Sequence, residues 1–297
     1  MTVLDGSRIM VTLLLEFAAL FFVVSLAVHL LLGSRAVGRW QRAMAARPGR
    51  SLAIALALGV VTPFCSCSTV PLVAGMLSAG VPVAATTAFL VVSPLVNPAT
   101  VALLAALVSP LHAVGFVAAS LGVAVAVAAA VAVSGVRPTT PAAVDPPASP
   151  ETTPGLPARL RRATSRAWRD LRALAPLLAA VAGVGALLAG RVDAGVVGRA
   201  IDAAGPWAVP VAVLVGVPVY ASTAVLLPLG SVLLATGTNL GVVTAFLVGA
   251  TGLSLPEGVL LWRLLGARYL FTLATAFVLA TIGVGYAIQA WVPGVVR

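Results

Sequence analysis

The 297-residue sequence contains no lysine, only two cysteines and few charges of either sign. Charged residues make up 9% of the chain, whereas soluble domains have about 25%. This shortage excludes an ordinary soluble protein, and the 61% of hydrophobic residues excludes a disordered one. Without lysine the chain has no P-loop of its own, because that motif places a Lys on the nucleotide phosphates. Two cysteines as close as Cys65 and Cys67 cannot form a disulfide framework.

What the chain does contain is long apolar runs, with a mean hydropathy of +1.12. The runs are continuous and lack the apolar–polar alternation of transmembrane barrels, so they predict helices. At about 20 residues per span the chain has room for roughly ten of them. We therefore predict an all-α polytopic membrane protein with about eight to ten membrane segments. The predicted segments are Ile9–Leu32, Ser51–Ala79, Pro82–Val96, Pro98–Val108 and Leu111–Ser134, then Leu171–Gly190, Pro206–Thr236, Leu240–Leu253, Pro256–Gly266 and Tyr269–Trp291.

All basic residues are arginines, and they give the chain a net charge of +10. Most of them lie in two loops beside apolar runs, residues 34–50 and 159–172, with Asp170 as the one acidic residue among them. Basic loops of this kind orient helices in a bilayer and face the cytoplasm. The pattern predicts a multi-pass protein of the plasma (inner) membrane with both loops cytoplasmic, and it does not indicate nucleic-acid binding.

The chain divides into two similar halves. We predict a first transmembrane repeat at 1–135, a Pro-rich cytoplasmic linker at 136–158 and a second repeat at 159–297. The sequence Thr-Ala-Phe-Leu-Val occurs at 87–91 and again at 244–248, with matching Pro and Gly residues in the same register. The arginine cluster follows the first helix of one half and precedes the matching helix of the other. The equivalent helices then cross in opposite directions, which predicts an inverted-topology repeat.

Each half has a Pro-flanked cluster of small polar residues inside an apolar segment, at 62–71 and at 217–228. Proline removes a backbone donor and clashes with the preceding turn, so each helix is expected to break there. Matching breaks in two halves predict a substrate site at the membrane midplane, and the alternative is that kinks and small residues serve helix packing. The candidate substrate-binding residues are Cys65, Ser66, Cys67, Ser68, Tyr220, Ser222 and, from a second break at 93–98, Asn97.

The second break has its counterpart at Ser254–Glu257. Ser-Leu-Pro-Glu fits a helix capping box, and Asn97 before Pro98 fits an N-cap. A carboxylate within a membrane segment commonly marks a transport pathway. Glu257 is therefore a candidate for proton or cation coupling, with simple helix capping as the alternative.

Cys65 and Cys67 lie inside the first break. Two thiols one residue apart can face the same ion when the backbone is extended, and thiolates prefer soft ions. Trivalent arsenic is thiophilic by the same chemistry, so Cys65 and Cys67 are candidate thiol ligands of an arsenic-type centre. The alternative is that they are small apolar fillers.

Three strings resemble the motifs of the predicted-permease family of the ArsP/YraQ type: Thr62–Pro71, Ser93–Pro98 and Ser254–Glu257. The resemblance covers nearly the whole chain except the linker, and Phe-Cys-Ser-Cys-Ser at 64–68 is its most specific part. Members of that family include efflux permeases for trivalent organoarsenicals. The resemblance implies that Cys65 and Cys67 are the thiols that interact with the arsenical.

The sequence thus predicts a membrane permease, not an enzyme, with secondary-active efflux of a soft, thiol-reactive solute such as a trivalent organoarsenical. One alternative is a permease for another small solute, a metal ion or an anion, in which the cysteines are structural. A membrane thiol–disulfide oxidoreductase is disfavoured because the chain has no second cysteine pair. No cofactor is expected. The expected partners are the lipid bilayer and a small-molecule or metalloid substrate, and a homo-oligomer stays open.

Overall fold

The computed structural model of the chain is all-helical in its regular elements over the part that it describes. The described residues are 19, 22–23, 26, 30, 48–61, 66–78, 80–96, 98–107, 109–138, 157–158, 160–165, 167–169, 171–172, 204–217, 230, 238–253 and 255–291.

Five helices of the first half are described: α1 (Pro48–Val61), α2 (Ser66–Ser78), α3 (Val83–Leu95), α4 (Pro98–Leu107) and α5 (Pro110–Val133). The predicted segment Ser51–Ala79 is divided between α1 and α2, on either side of residues 62–65. Helix α3 continues through Pro94 and ends at Leu95, one residue before the end of the predicted segment Pro82–Val96 and inside the break predicted at 93–98. It continues because one missing N–H does not interrupt the neighbouring bonds, such as the one from Val96 N to the Val92 carbonyl at 2.9 Å.

The second half shows a short 3₁₀ turn (Gly205–Trp207) and four further helices: α6 (Ala208–Gly216), α7 (Leu240–Gly252), α8 (Leu255–Leu265) and α9 (Ala267–Trp291). Helices α7 to α9 begin and end within two residues of their predicted segments. The predicted first helices of the two halves, Ile9–Leu32 and Leu171–Gly190, lie largely outside the described residues.

The turn between α2 and α3 ends α2 with a Schellman motif. Gly80 N donates to the Leu77 carbonyl and Val81 N to the Met76 carbonyl, each at 3.0 Å. Gly80 has φ +80°, a left-handed conformation that glycine adopts without a steric penalty. The motif satisfies the last carbonyls of α2 and reverses the chain into α3.

Helices α3 and α7 form the centre of the described part. Helix α3 is buried on every side from Ala85 to Ser93, and α7 from Gly241 to Ala250. A helix that is apolar all round needs such a central position. Helix α3 packs on α1, α2 and α5, α7 packs on α6 and α9, and the two central helices touch each other.

Two described helices, α5 and α9, are long and apolar enough to cross a membrane, at Pro110–Val133 and Ala267–Ala290. They pack on each other. Their outer surfaces carry large apolar side chains with little cover: Leu111 is 78% exposed and Phe271 is 67% exposed. Such surfaces are rare on soluble monomers and suit contact with lipid.

Candidate functional site

Four of the eight residues that the sequence predicts for the site, Cys65 to Ser68, lie in the stretch that joins α1 to α2 or in the first turn of α2. Cys65, Asn97, Tyr220 and Ser222 lie outside the described residues. Ser66, Cys67 and Ser68 form the first turn of α2, and Glu257 lies in the first turn of α8. For these four only the backbone is described, so the site is built below from helix positions and from the neighbouring side chains.

Helix α2 packs against α8. The first belongs to the N-terminal half and begins with the Ser-Cys-Ser turn at 66–68, and the second belongs to the C-terminal half and carries Glu257 in its first turn. The two features that the sequence placed in separate halves therefore lie on contacting helices.

Helices α2 and α3 form a hairpin. Each has 13 residues, they pack on each other, and only residues 79–82 separate them. Two helices of equal length joined by so short a turn run antiparallel. The first turn of α2, at 66–68, therefore lies beside the last turn of α3, which holds Ser93 and Pro94.

The end of α1 approaches the same turn of α3. A Cβ on Gly59 would collide with Val92 Cγ1 and would lie 3.5 Å from Ser93 N and 3.6 Å from the Phe89 carbonyl oxygen. Helix α1 ends two residues later, at Val61. The last turn of α1 and the first turn of α2 thus both lie beside the last turn of α3, and we call this meeting of three helix ends the convergence.

Ser93 brings an unpaired polar group to this convergence. Its side chain is 0% exposed, and its Oγ has no hydrogen-bond partner among the described residues. Pro94 next to it has no N–H to offer the Leu90 carbonyl. Other hydroxyls in the described helices instead donate to the carbonyl four residues earlier, at 2.7–3.2 Å: Thr86, Ser120, Thr251, Thr272 and Thr281.

An unpaired buried hydroxyl is costly, by about 1–3 kcal/mol, so Ser93 is a candidate for contact with a solute. Ser93 belongs to the motif at 93–98 but is not among the residues that the sequence predicts to bind the solute. The available signal was a Ser-Pro pair inside an apolar helix. Thr238, just before α7, is the other buried unpaired hydroxyl in the described part.

A buried hydrogen bond that the sequence did not reveal joins the two halves. Thr87 Oγ1 of α3 and the Tyr269 hydroxyl of α9 are 2.9 Å apart, and both side chains are buried. A Tyr hydroxyl in an apolar interior needs such a partner. This bond ties the central helix of the first half to a long helix of the second.

The described interior is polar only through hydroxyl groups, since its buried polar side chains are serines, threonines and Tyr269. The described arginine side chains are all exposed: Arg50, Arg137, Arg161, Arg162, Arg169, Arg172, Arg263 and Arg268. Among the described residues, hydroxyl groups and helix ends therefore surround the convergence of α1, α2 and α3, and no arginine side chain is buried there.

A family model described as a predicted permease, ArsP_1, matches residues 7–290. The chain belongs to this ArsP_1 family. The match spans both halves and the linker, so the described helices and the strings with the predicted site residues all fall within one family domain. The ArsP_1 chain is accordingly a membrane permease, and the resemblance drawn from the motifs is confirmed. No curated protein and no solved structure matches it significantly.

Proposed function

We propose that this permease is a secondary-active exporter of a soft, thiol-reactive solute, with a trivalent organoarsenical as the most specific candidate. The observation that supports the proposal is the convergence of the last turns of α1 and α3 with the first turn of α2, which holds Ser66 and Cys67. Thiolates are the side chains with the strongest preference for soft centres.

The two halves act as structural repeats in this proposal, and one pair of glycines supports it. A Cβ on Gly59 would meet the Phe89 carbonyl oxygen and Ser93 N, and a Cβ on Gly216 would meet the Phe246 carbonyl oxygen and Ala250 N. Gly216 and both of its partner residues lie 157 positions after their counterparts. The same backbone approach at one constant offset is what a duplicated helix pair would give.

Helix packing supports the same division. Helix α1 packs on α3 as α6 packs on α7, and α3 packs on α5 as α7 packs on α9. Two of the contacts across the halves join matching helices, α3 with α7 and α5 with α9, whereas the contact of α2 with α8 joins helices that do not match. Ten segments in two inverted repeats at 1–135 and 159–297 complete the proposed topology, with the linker and the basic segments 34–50 and 159–172 on the cytoplasmic side of the plasma membrane.

Glu257 is the proposed coupling residue, because α8 holds it in the first turn of a helix packed on α2. Protonation of a carboxylate there would link solute export to the proton gradient. Glu257→Gln should abolish the dependence of transport on an imposed pH gradient, and transport that still follows the gradient in this variant would exclude the role.

Expression in a bacterial strain without arsenic efflux tests the solute class. Cells with the wild-type chain should accumulate less methylarsenite than cells with the empty vector, and should tolerate more of it. Arsenate, which is an oxyanion and does not react with thiols in the same way, serves as the control solute. Equal methylarsenite accumulation with and without the protein would exclude the arsenical.

A permease for a metal ion or a small anion is the second candidate. The first turn of α2 has backbone N–H groups with no helical partner, and helix N-termini bind anions. An anion permease would not need the thiols. Anion-dependent thermal stabilisation that persists when Cys65 and Cys67 are replaced by serine would favour it over the arsenical exporter.

A further inference from the structure

Residues 157–172 comprise the last two positions of the predicted linker and the basic segment predicted as a loop, and they carry an exposed arginine surface. The described positions in this stretch (157–158, 160–165, 167–169 and 171–172) are helical. Arg161, Arg162, Ser165 and Arg169 are exposed and line an open concavity of about 500 Å³, and we call these four residues the arginine surface. At 3.6 residues per turn they fall within an arc of about 100°.

The opposite face of this helix packs on the protein. Ala163 and Ala167, one turn apart, are 4% and 0% exposed. Trp168 contacts Phe22 edge-to-face, with ring centroids 6.3 Å apart. The face with Ala163 and Ala167 is therefore covered by neighbouring residues, and the arginines of the other face are exposed.

Trp168 lies at the boundary between the two faces. It remains 47% exposed, although it touches Phe22, and the Arg172 guanidinium lies 5.2 Å from its ring centroid. Tryptophan beside arginine is typical of the membrane–water interface, where the ring reaches the acyl boundary and the guanidinium reaches the head groups.

The geometry points to an anionic phospholipid as the ligand of this surface, with its phosphate bound by the arginine surface. Three guanidinium groups and one hydroxyl supply several hydrogen-bond donors, and the described lining contains no acidic residue. Arginine binds phosphate oxygens through two parallel N–H bonds, which ammonium groups cannot do. A membrane protein with such a surface at the interface has the head groups of the adjacent leaflet within reach.

The arginine surface shares no residue with the proposed solute site, so the proposal stands whether the solute is an arsenical or not. The site would fix the height and tilt of the 157–172 helix against the bilayer. Since that helix leads into the second half, the bound lipid would also hold the start of that half in place.

Lipid retention in native mass spectrometry, together with melting temperature in detergent, tests the site on the full-length chain. The variant is Arg161→Gln/Arg162→Gln/Arg169→Gln. The matched control, Arg50→Gln/Arg137→Gln/Arg263→Gln, removes the same charge from exposed positions elsewhere. The probes are phosphatidylglycerol, phosphatidylcholine and inorganic phosphate.

The wild type and the control should retain phosphatidylglycerol over phosphatidylcholine and melt at a higher temperature with it. The variant should bind this lipid about fivefold more weakly per arginine lost. Equal retention by variant and control would overturn the proposal, because the lipid would then respond to net charge alone. Stabilisation by inorganic phosphate equal to that by phosphatidylglycerol would also overturn the proposal. Should the triple variant not fold, Arg162→Gln against Arg137→Gln gives the same comparison.

Discussion

Two fully buried serines, Ser93 in α3 and Ser120 in α5, differ in what their hydroxyls do. Ser120 Oγ donates to the Phe116 carbonyl at 2.8 Å, which is the ordinary solution for a serine inside a helix. Ser93 Oγ makes no such bond within the described part of the chain. At the position of Ser93 the second half has Ala250, which is also buried. The hydroxyl is therefore not required by the packing of this helix pair.

Ser93→Ala should leave the melting temperature unchanged or raise it, because it removes a buried group that lacks a partner. The same variant should transport more slowly if the hydroxyl contacts the solute. Ser120→Ala is the matched control and should lower stability by about 1 kcal/mol without a change in the solute's KM. A loss of stability in Ser93→Ala as large as in Ser120→Ala would show that Ser93 has a structural partner.

The bond between Thr87 and Tyr269 predicts energetic coupling between the halves. Thr87→Val and Tyr269→Phe should each destabilise, because each leaves the other hydroxyl buried and unpaired. The double variant should recover about 1 kcal/mol of the summed loss. Thr244→Val, at the matching position of α7, is the control and should add to Tyr269→Phe without coupling. Strict additivity of Thr87→Val and Tyr269→Phe would contradict the contact.

At the scale of elements, the close pairs α1–α3 and α6–α7 depend on glycine. A side chain at Gly216 would come within 2.8 Å of the Phe246 carbonyl oxygen, and one at Gly59 would enter the space of Val92. Small residues of this kind let membrane helices pack at short distance. The terminal turn of α1 is thus held against the turn of α3 that carries Ser93.

Gly59→Ala and Gly216→Ala should each lower stability, by about 1–3 kcal/mol for an overpacked contact. Gly115→Ala and Gly283→Ala are the controls, since nothing lies within 4 Å of a Cβ at either position. They should be neutral or gain up to about 1 kcal/mol from helix propensity. Melting temperatures in one detergent compare all four. Unchanged melting temperatures in Gly59→Ala and Gly216→Ala would contradict the close approach of these helices.

Helix positions were largely predictable from the sequence, because Pro, Gly and Asn mark where these apolar runs begin and end. Helix α7, for example, begins after Asn239, whose side chain accepts from Gly241 N at 2.8 Å. The end of α3 beyond Pro94 agrees with the predicted segment Pro82–Val96. The pairing of Thr87 with Tyr269 and the isolation of Ser93 were not predictable, because neither leaves a local pattern in the sequence.

At the scale of the whole molecule, the two halves share a framework but differ in chemistry. The framework is the repeated packing of α1–α3–α5 and α6–α7–α9. In the proposed alignment of the halves, Cys65, Cys67 and Ser93 of the first correspond to Tyr220, Ser222 and Ala250 of the second. The proposed function therefore has one thiol-bearing site per chain rather than two equivalent ones.

The most direct test of this account is the initial rate of methylarsenite uptake into everted membrane vesicles. The vesicles contain the wild type, Cys65→Ser/Cys67→Ser, or Ser120→Ala as a control for expression and folding. Because Ser222 already occupies the place of Cys67 in the second half, the thiol variant should still fold. The account predicts uptake at the background of empty vesicles for the thiol variant and wild-type uptake for the control. Full uptake by the thiol variant would contradict it.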